Sequence, residues 1–448
     1  MNARAVSRNL FDLSPWQAMM VEAGRAADTS AVFHDRNLIR LAYRVTPSVE
    51  LRRLRRAFDE LTKRHDSLRL RFREVNGAWR AEIQEHHPLG LRVEDLGEVA
   101  EADLLAVAEA HAAAAMSVFA DALFEMIVLR CGRAGDIVVM RAHHAVVDGY
   151  GAVTLMEDLV RLLLGVGIDR RAVSHGEFLA WRRRANRQDA EAKGAYWAET
   201  LLPVPSPPKL GRLAKGKEPA DPRQVARTIG CDVLNSAETE RLAAVAGDAG
   251  VSVFSLLISA LAEELCIAAD TDDLILFSVA GRYETQLAGY VGPAMTRFAL
   301  RYRRDETRSL PDSARSMQKS LRESLAHLPA LTLARGGEVD TAFRDAGWPR
   351  QPVLVHIPEA QGQMRSSPVG DILKAGRQGG VSFGHIHLAR LPLAPAAHTD
   401  AELQLSLNEG PDGQFVAFGA DADAYTENEL MQLRVALRER LGELNGWL

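Results

Sequence analysis

A Pro-rich stretch at residues 201–225 interrupts the chain and separates two regions in which helix-like and strand-like patterns alternate. It begins with Pro203, Pro205, Pro207 and Pro208. Because proline lacks a backbone N–H and has a fixed φ, these residues exclude a helix there and favour an extended path. A chain that alternates helices and strands on both sides of such a break is predicted to have an α/β or mixed α+β fold.

Hydrophobic periodicity predicts the individual elements. The predicted helices have apolar residues three and four positions apart and cover 49–64, 151–164, 236–248, 251–267 and 426–444. The predicted strands alternate in polarity or are short apolar runs and cover 68–73, 78–84, 135–142, 226–233, 273–279, 402–407 and 414–418. Residues 101–129 are predicted to begin as a helix and end as a strand. Asn76-Gly77, between the first two strands, is typical of a hairpin turn.

The composition excludes several classes of protein. Of the 448 residues, 47% are hydrophobic and 25% charged, which is typical of a globular chain and not of a disordered one. Lys and Arg number 54 against 59 Asp and Glu, whereas a nucleic-acid-binding protein normally has a basic excess. Cys131, Cys231 and Cys266 are far apart, fit neither a disulfide framework nor a zinc site, and indicate a reducing compartment.

No segment has the pattern of a membrane anchor or an export signal. The first residues, MNARAVSRNLFDLSP, lack the apolar core of a signal peptide. The apolar window 251–268 contains Glu263 and Glu264, so it is predicted to be a buried helix and not a membrane span. The sequence therefore predicts a cytoplasmic protein that does not bind membranes.

The segment RAHHAVVDGYG at 141–151 has the residues best suited to catalysis. His143 and His144 end a predicted strand, and Asp148-Gly149 begins a predicted helix. Neighbouring side chains on a strand point to opposite sides, so only one imidazole can face a substrate and take a proton from an amine or a hydroxyl. We expect Asp148 to accept a hydrogen bond or pair with an arginine and so fix the turn. Gly149 is expected to allow a backbone conformation or a close approach that a side chain would block.

A histidine pair alone is a weak sign of an active site. His86-His87 is a second pair, but a proline follows it and it is predicted to lie in a loop. The pair at 143–144 could also be a buried structural pair or half of a metal site, although the complete pattern HHxxxDG at a strand-to-helix junction favours an active site. His385 and His387 could point to one face of a strand, as metal ligands sometimes do. No carboxylate or cysteine lies nearby, so no metal site is predicted.

Other segments accompany HHxxxDG in order. They are LSPWQAM (13–19), RHDSLRLRF (64–72), HGEFLAW (175–181), YW (196–197), VAGR (279–282) and HTDAELQLSLNE (398–409). They are similar, in that order, to the LSxAQ, RHExLRTxF, YxDFAxW, YW and (V/A)AGR segments and the closing strand region of nonribosomal peptide synthetase condensation domains. The chain therefore resembles this family, which belongs to the superfamily of chloramphenicol acetyltransferase-like acyltransferases. The HQDxPFE and RDxSRNPL segments of the family are not found, and residues 325–380 fit neither.

The resemblance implies a fold and a domain division. It implies two chloramphenicol acetyltransferase-like subdomains that form a V-shaped pseudo-dimer with a central tunnel. Residues 1–175 would be the N-terminal subdomain that carries HHxxxDG, and residues 176–448 would be the C-terminal one, including the Pro-rich linker 201–225. Because one chain would then contain one complete site, we expect a monomer.

The resemblance also implies roles for individual residues. It makes His144 the catalytic residue, which orients or deprotonates the attacking group, with His143 in support. Asp148 is expected to be structural and to pair with Arg282, and the N–H of Gly149 is the expected oxyanion contact.

The activity that the resemblance implies is condensation in a nonribosomal peptide or hybrid polyketide pathway. An acyl or peptidyl thioester would be transferred to an amine or hydroxyl, giving an amide or ester. No cofactor would be bound by the enzyme itself, because phosphopantetheine of a carrier protein presents the substrate. The chain has no carrier segment or adenylation signature, so we expect a free-standing enzyme that acts on carriers in trans. The acceptor would be a small amine or alcohol, or a second carrier-bound group.

The partner surface and the function each leave alternatives open. Acidic carriers would suit the arginine-rich face at 52–56, although such a face is also the ordinary solvated side of a core-facing helix. HHxxxDG also occurs in acyl-CoA-dependent O-acyltransferases of the wax ester synthase type, but the ordered SxxQ, RHD and VAGR segments favour a condensation domain. The other alternative is a non-catalytic platform that binds carrier proteins. The intact His144 and Asp148-Gly149 argue against it.

Overall fold

The computed structural model describes residues 9–27, 37–217, 227–280, 285–328, 337–348, 353–356, 380–383, 385–393, 401–410 and 413–444. The helices of this part of the chain are α1 (Pro15–Ala27), α2 (Leu51–Arg64), α3 (Leu104–Ala112), α4 (Gly149–Leu164), α5 (His175–Arg187), α6 (Ala190–Leu201), α7 (Gly211–Ala214), α8 (Ser236–Asp248), α9 (Val253–Ala269), α10 (Leu310–Ala326), α11 (Glu338–Asp345) and α12 (Glu427–Gly442).

The strands are β1 (Leu10–Asp12), β2 (Leu38–Thr46), β3 (Leu70–Val75), β4 (Ala78–Ile83), β5 (Arg92–Asp95), β6 (Phe124–Arg130), β7 (Asp136–His143), β8 (Thr228–Leu234), β9 (Asp273–Ala280), β10 (Thr296–Arg303), β11 (Val353–His356), β12 (Val381–Phe383), β13 (Ile386–Arg390), β14 (Leu403–Gly410) and β15 (Gly413–Asp421). Helices and strands interleave along the described chain, so the predicted mixed α/β class is confirmed.

Strand β7, which leads to the histidine pair, lies inside a six-stranded sheet of order β12-β13-β2-β7-β6-β5. All of its residues are buried, because helices cover both faces of the sheet. Val138 and Met140 share a core with residues of α2 and α4. Ile137 and Val139 pack on the other side with residues of α3. This double burial holds the end of β7 in a fixed position.

The hairpin predicted around Asn76-Gly77 is present. Strands β3 and β4 pair antiparallel up to Val75 and Ala78. Asn76 and Gly77 have φ of 53° and 75°, as the two-residue type I′ turn requires. Strand β1 pairs with the other edge of β4 and completes a small three-stranded sheet.

A second six-stranded sheet has the order β10-β9-β11-β14-β15-β8. Helix α9 belongs to the core of this region, where Leu256 and Leu261 are fully buried. The side chain of Ser252 caps its first turn. Helix α8 begins with a reciprocal capping box between Asn235 and Glu238. The prediction that 251–267 is a buried helix is confirmed.

The chain divides into two units, but not by a single cut. The first unit takes its described residues from 1–182, 284–295 and 359–397, and the second takes them from 183–283, 296–358 and 398–448. The predicted single boundary between residues 175 and 176 therefore needs correction, because two later segments return to the first unit. Strand β13 pairs there with β2, and residues 285–295 pack there against α5. The V-shaped arrangement with a central tunnel stays a prediction.

The described part of the Pro-rich stretch, residues 201–217, belongs to the second unit. It contains no helix beyond the end of α6 and the short α7, as the prolines predict. The indole N–H of Trp348 donates a hydrogen bond of 2.6 Å to the carbonyl of Pro205. This contact ties the extended segment to the second unit.

Within the described ranges, no single helix is long and apolar enough to cross a membrane. Helices α8 and α9 pass that test of length and composition only when they are taken together, and they are bent by 99° at their junction.

Candidate active site

The two adjacent histidines lie in different environments, as predicted. His143 is the last residue of β7 and is fully buried. Its Nδ1 accepts a hydrogen bond of 3.1 Å from the N–H of Ala145, so the neutral ring carries its proton on Nε2. His144 follows the strand and is half-buried. His144 is therefore the less buried member of the pair.

The backbone of His144 is held on both sides. Its N–H donates to the carbonyl of Asn37 at 2.7 Å. Its carbonyl accepts the indole N–H of Trp16 at 3.0 Å. The indole also lies against the imidazole, with ring centroids 5.2 Å apart and planes inclined by 54°. The peptide units on both sides of the His144 side chain are thus held by hydrogen bonds, one to Asn37 and one from Trp16.

The LSPWQAM segment has a clear structural role at this turn. Ser14 and Gln17 form a capping box at the start of α1, since the N–H of Gln17 donates to Ser14 Oγ and the N–H of Ser14 donates to Gln17 Oε1. The Nε2 of Gln17 then donates to the carbonyl of Ala145 at 3.3 Å. Both side chains are buried. The first turn of α1 therefore binds two consecutive carbonyls, those of His144 and Ala145.

Asp148 fixes the other end of the motif. One carboxylate oxygen accepts the N–H of Gly151 at 2.7 Å, which caps α4, and the other accepts the N–H of Ala294 at 2.9 Å. Asp148 is 1% exposed. The prediction that it accepts a hydrogen bond and fixes the turn is therefore met by backbone donors. Arg282, its predicted partner, lies outside the described residues, so that ion pair stays a prediction.

The two glycines of this turn, Gly149 and Gly151, differ in whether packing leaves room for a side chain. Gly149 does not have a positive φ, and a Cβ built on it would meet no atom within 4 Å, so no protein contact in the described chain demands glycine there. Only the predicted close approach of a ligand remains as a reason. At Gly151 a Cβ would lie 1.9 Å from the carbonyl oxygen of Val291. Gly151, which the sequence reasoning did not single out, is thus the glycine that packing requires.

The segment that supplies Ala294 is itself held by buried aromatic residues. Tyr290 Oη and His175 Nδ1 form a hydrogen bond of 2.9 Å. The ring of Tyr290 stacks on Phe178 with centroids 4.3 Å apart. At Gly289 a Cβ would lie 1.9 Å from a backbone oxygen of Arg171. This close packing fixes residues 285–295 against the start of α5 and so places the Ala294 N–H at Asp148.

Burial lowers the pKa of His175 to about 3. Its imidazole is therefore neutral at physiological pH and serves this contact as an uncharged group.

A model of the condensation domain family matches residues 15–330. The match covers more than half of the chain. It includes the HHxxxDG turn, helix α1 and residues 285–295. The chain belongs to the condensation domain family.

The curated relatives of this condensation domain are nonribosomal peptide synthetases. Bacitracin synthase 2 of Bacillus licheniformis is 24% identical over 298 residues, which are 65% of this chain and 11% of the synthase. Tyrocidine synthase 3 of Brevibacillus parabrevis is 24% identical over 285 residues, which are 62% of this chain and 4% of that protein. The chain thus spans only a small fraction of the length of these relatives.

Solved structures of low sequence identity share the fold of this condensation domain. SgcC5 of Streptomyces globisporus has a TM-score of 0.75 at 17% identity, covering 97% of this chain and 99% of its own. The first condensation domain of the calcium-dependent antibiotic synthetase has a TM-score of 0.70 at 18% identity, with 99% and 98% covered. The X-domain from teicoplanin biosynthesis has a TM-score of 0.72 at 16% identity, with 97% and 95% covered.

The RHD segment of this condensation domain anchors helix α4. Arg64 Nε and His65 Nε2 lie 3.0 Å and 2.8 Å from the same carboxylate oxygen of Asp158. Arg170 binds the other oxygen at 2.5 Å. Asp66 accepts the N–H of His175 at the start of α5. The segment therefore anchors the helix that follows HHxxxDG.

Three residues of this constellation were missed in the sequence. Trp16 stands where the LSxAQ segment has alanine, and that departure was a signal. Asp158 is an acidic residue between the apolar Leu155 and Leu159 of α4, a position where a charge indicates a buried partner. Ala294 gave no signal, because it contributes only its backbone N–H.

Among the described residues, the other histidine and cysteine candidates do not form a second site. His387 lies on β13, where its Nδ1 and Ser382 Oγ are 3.1 Å apart. Among the described residues, no cluster of three or more His, Cys, Asp or Glu side chains could hold a metal ion. The pKa values of the Cys131 and Cys231 thiols are raised by burial, and that of Cys266 is raised to about 12. These thiols are therefore poor nucleophiles at neutral pH.

Proposed function

We propose that this condensation domain transfers an acyl group from a carrier-bound thioester to an amine or a hydroxyl, with His144 as the general base. One observation carries the proposal: His144 is half-buried and its backbone N–H and C=O are both hydrogen-bonded, just before the N-terminus of α4. A base that is held in this way can meet a nucleophile without first having to be ordered.

The proposed reaction needs no resident cofactor. The nitrogen or oxygen of the nucleophile attacks the thioester carbon while its proton passes to His144. The oxyanion of the tetrahedral intermediate faces the N–H of Gly149, which is the first residue of α4 and has no acceptor within the helix. Collapse then breaks the C–S bond, and the imidazolium returns the proton to the departing phosphopantetheine thiol. Asp148 holds the turn and takes no proton.

The proposed donor is a carrier protein in trans. Helix α2 buries Leu54, Phe58 and Leu61 and leaves Arg52, Arg53, Arg55 and Arg56 exposed. A row of exposed arginines attracts an acidic partner and speeds its association. The small amine or alcohol acceptor, the trans arrangement and the monomeric state belong to the same proposal.

The carrier surface can be tested by charge reversal. The double variant Arg52→Glu, Arg56→Glu should raise the apparent KM for the acyl-carrier about tenfold at low salt and leave kcat unchanged. Arg133→Glu, an exposed arginine of the same unit, is the control and should leave KM unchanged. An unchanged KM in the double variant would remove the arginine face from the proposal.

The proposed activity is tested by product mass. Purified protein is incubated with an acyl-carrier thioester and a panel of amines and alcohols, and the products are identified by intact mass. An amide or an ester supports the proposal and identifies the nucleophile. Binding of the carrier without turnover supports the platform alternative, and turnover with acyl-CoA but not with the carrier supports the wax ester synthase type.

A further inference from the structure

Trp16 makes two different contacts with His144. Its indole N–H binds the His144 carbonyl at 3.0 Å, and its ring contacts the imidazole at a centroid distance of 5.2 Å. Trp16 is half-buried, as is His144. The two residues are 128 positions apart in the sequence, so the contact depends on the docking of α1.

The imidazole needs such a contact if it is to act as a base. The χ2 torsion of histidine has a broad energy profile, so the ring orientation must come from neighbouring groups and not from rotamer preference. A planar indole against one side of the imidazole limits this rotation. It also keeps water from that side.

The position of Trp16 is itself well determined. It is the second residue of α1, between Ser14 and Gln17, whose side chains close the capping box. Gln17 binds the next carbonyl, that of Ala145. The indole is therefore held by a rigid first helical turn on one side and by the histidine turn on the other.

We propose that Trp16 is a positioning residue that sets the orientation of the His144 imidazole. The indole N–H fixes the peptide unit, and the indole ring fixes the side chain. This inference rests on the proposed function, since it assigns to Trp16 the placement of the base. Trp16 is given no role in the binding of the carrier, so its substitution should lower kcat and leave KM unchanged.

The test compares Trp16→Ala, Trp16→Phe and Trp79→Ala. Trp16→Ala removes both contacts and should lower kcat about tenfold to fiftyfold with KM for the acyl-carrier unchanged. Trp16→Phe keeps a ring but loses the hydrogen bond, and should lower kcat about twofold to fivefold. Trp79 is a half-buried tryptophan of the same unit that packs on Phe119 at 4.8 Å. Trp79→Ala controls for lost packing and should retain the wild-type kcat.

A second measurement does not depend on activity. NMR of protein labelled with ¹³C in the histidine rings, with the His144 signals assigned from His144→Ala, should show those signals shifted in Trp16→Ala and less shifted in Trp16→Phe. Wild-type kcat and unshifted signals in folded Trp16→Ala would overturn the inference, as would an equal loss of kcat in Trp79→Ala. If Trp16→Ala does not fold, unchanged kcat and signals in Trp16→Phe overturn it. If the wild-type protein forms no product, the proposed function fails, whereas the NMR comparison still decides the contact.

Discussion

Two buried aspartates, one at the N-cap of helix α4 and one in its middle, bind different kinds of partner. Asp148 caps the helix and accepts two backbone N–H groups, from Gly151 and Ala294. Asp158 lies in the middle of the helix and binds three basic side chains, those of Arg64, His65 and Arg170. The N-terminal end of the helix is thus positioned by backbone hydrogen bonds, and its middle is anchored by ion pairs.

The ion pairs of Asp158, which form the charged anchor of α4, change the pKa of its carboxyl group. Burial acts to raise the pKa of Asp158, but the hydrogen bond from His65 and the charges of Arg170 and Arg64 outweigh it, so the pKa is lowered. The difference between Asp148 and Asp158 predicts that α4 can be destabilised in two ways. Loss of the ion cluster should affect stability first, whereas loss of the Asp148 contacts should affect the histidine turn first.

The largest effect is expected from Asp158→Asn. The free energy of unfolding should fall by about 3–5 kcal/mol, because the partly buried guanidinium groups of Arg64 and Arg170 both lose a fully buried carboxylate partner, although Arg170 still pairs with Glu157. Urea unfolding measures the change. Glu157→Gln is the matched control, since Glu157 also pairs with Arg170, and it should cost only about 1 kcal/mol. Equal costs for the two variants would contradict the charged anchor.

A smaller effect is expected from Asp148→Asn. The amide keeps one acceptor oxygen, but its NH₂ group then faces a backbone N–H that has lost its partner. The free energy of unfolding should fall by about 1–3 kcal/mol, and the condensation rate should fall with it because the turn is no longer fixed. Urea unfolding and product formation are measured on the same sample. Full stability in this variant would contradict the capping role.

The smallest effect near neutral pH is a pH dependence that comes from the buried, uncharged imidazole of His175. The pKa of His175 is lowered from 6.5 to about 3 in the folded protein, so between these values the unfolded chain binds the extra proton. His175 therefore leaves stability unaffected above pH 6.5 and reduces it as the pH falls towards 3, by up to about 1.4 kcal/mol per pH unit. Unfolding measured from pH 7 to 5 should show a shallower slope in His175→Gln than in the wild type. Identical slopes would contradict a buried neutral imidazole.

The sequence predicted those features that depend on local patterns. Asp148-Gly149 before an apolar run indicated the start of α4, and Asn76-Gly77 indicated the hairpin. The opposite environments of His143 and His144 followed from strand alternation. Each of these depends on residues within a few positions of one another.

Contacts between distant residues could not be predicted in this way. The Trp16 indole and the His144 carbonyl are 128 positions apart, and Ala294 and Asp148 are 146 positions apart. The return of β13 and of residues 285–295 to the first unit likewise depends on tertiary pairing. A donor that is only a backbone N–H, as at Ala294, leaves no trace in residue identity. The sequence could therefore predict the candidate reacting residue, His144, but not most of the groups that hold it.

The most direct test of the account is the single-turnover rate of His144→Ala with an acyl-carrier thioester and the nucleophile found by product mass. His86→Ala, which changes an exposed histidine of the other pair, is the control. The account predicts a rate about 10²–10⁴-fold lower for His144→Ala, with unfolding unchanged, and a wild-type rate for His86→Ala. A folded His144→Ala protein that condenses at close to the wild-type rate would contradict it.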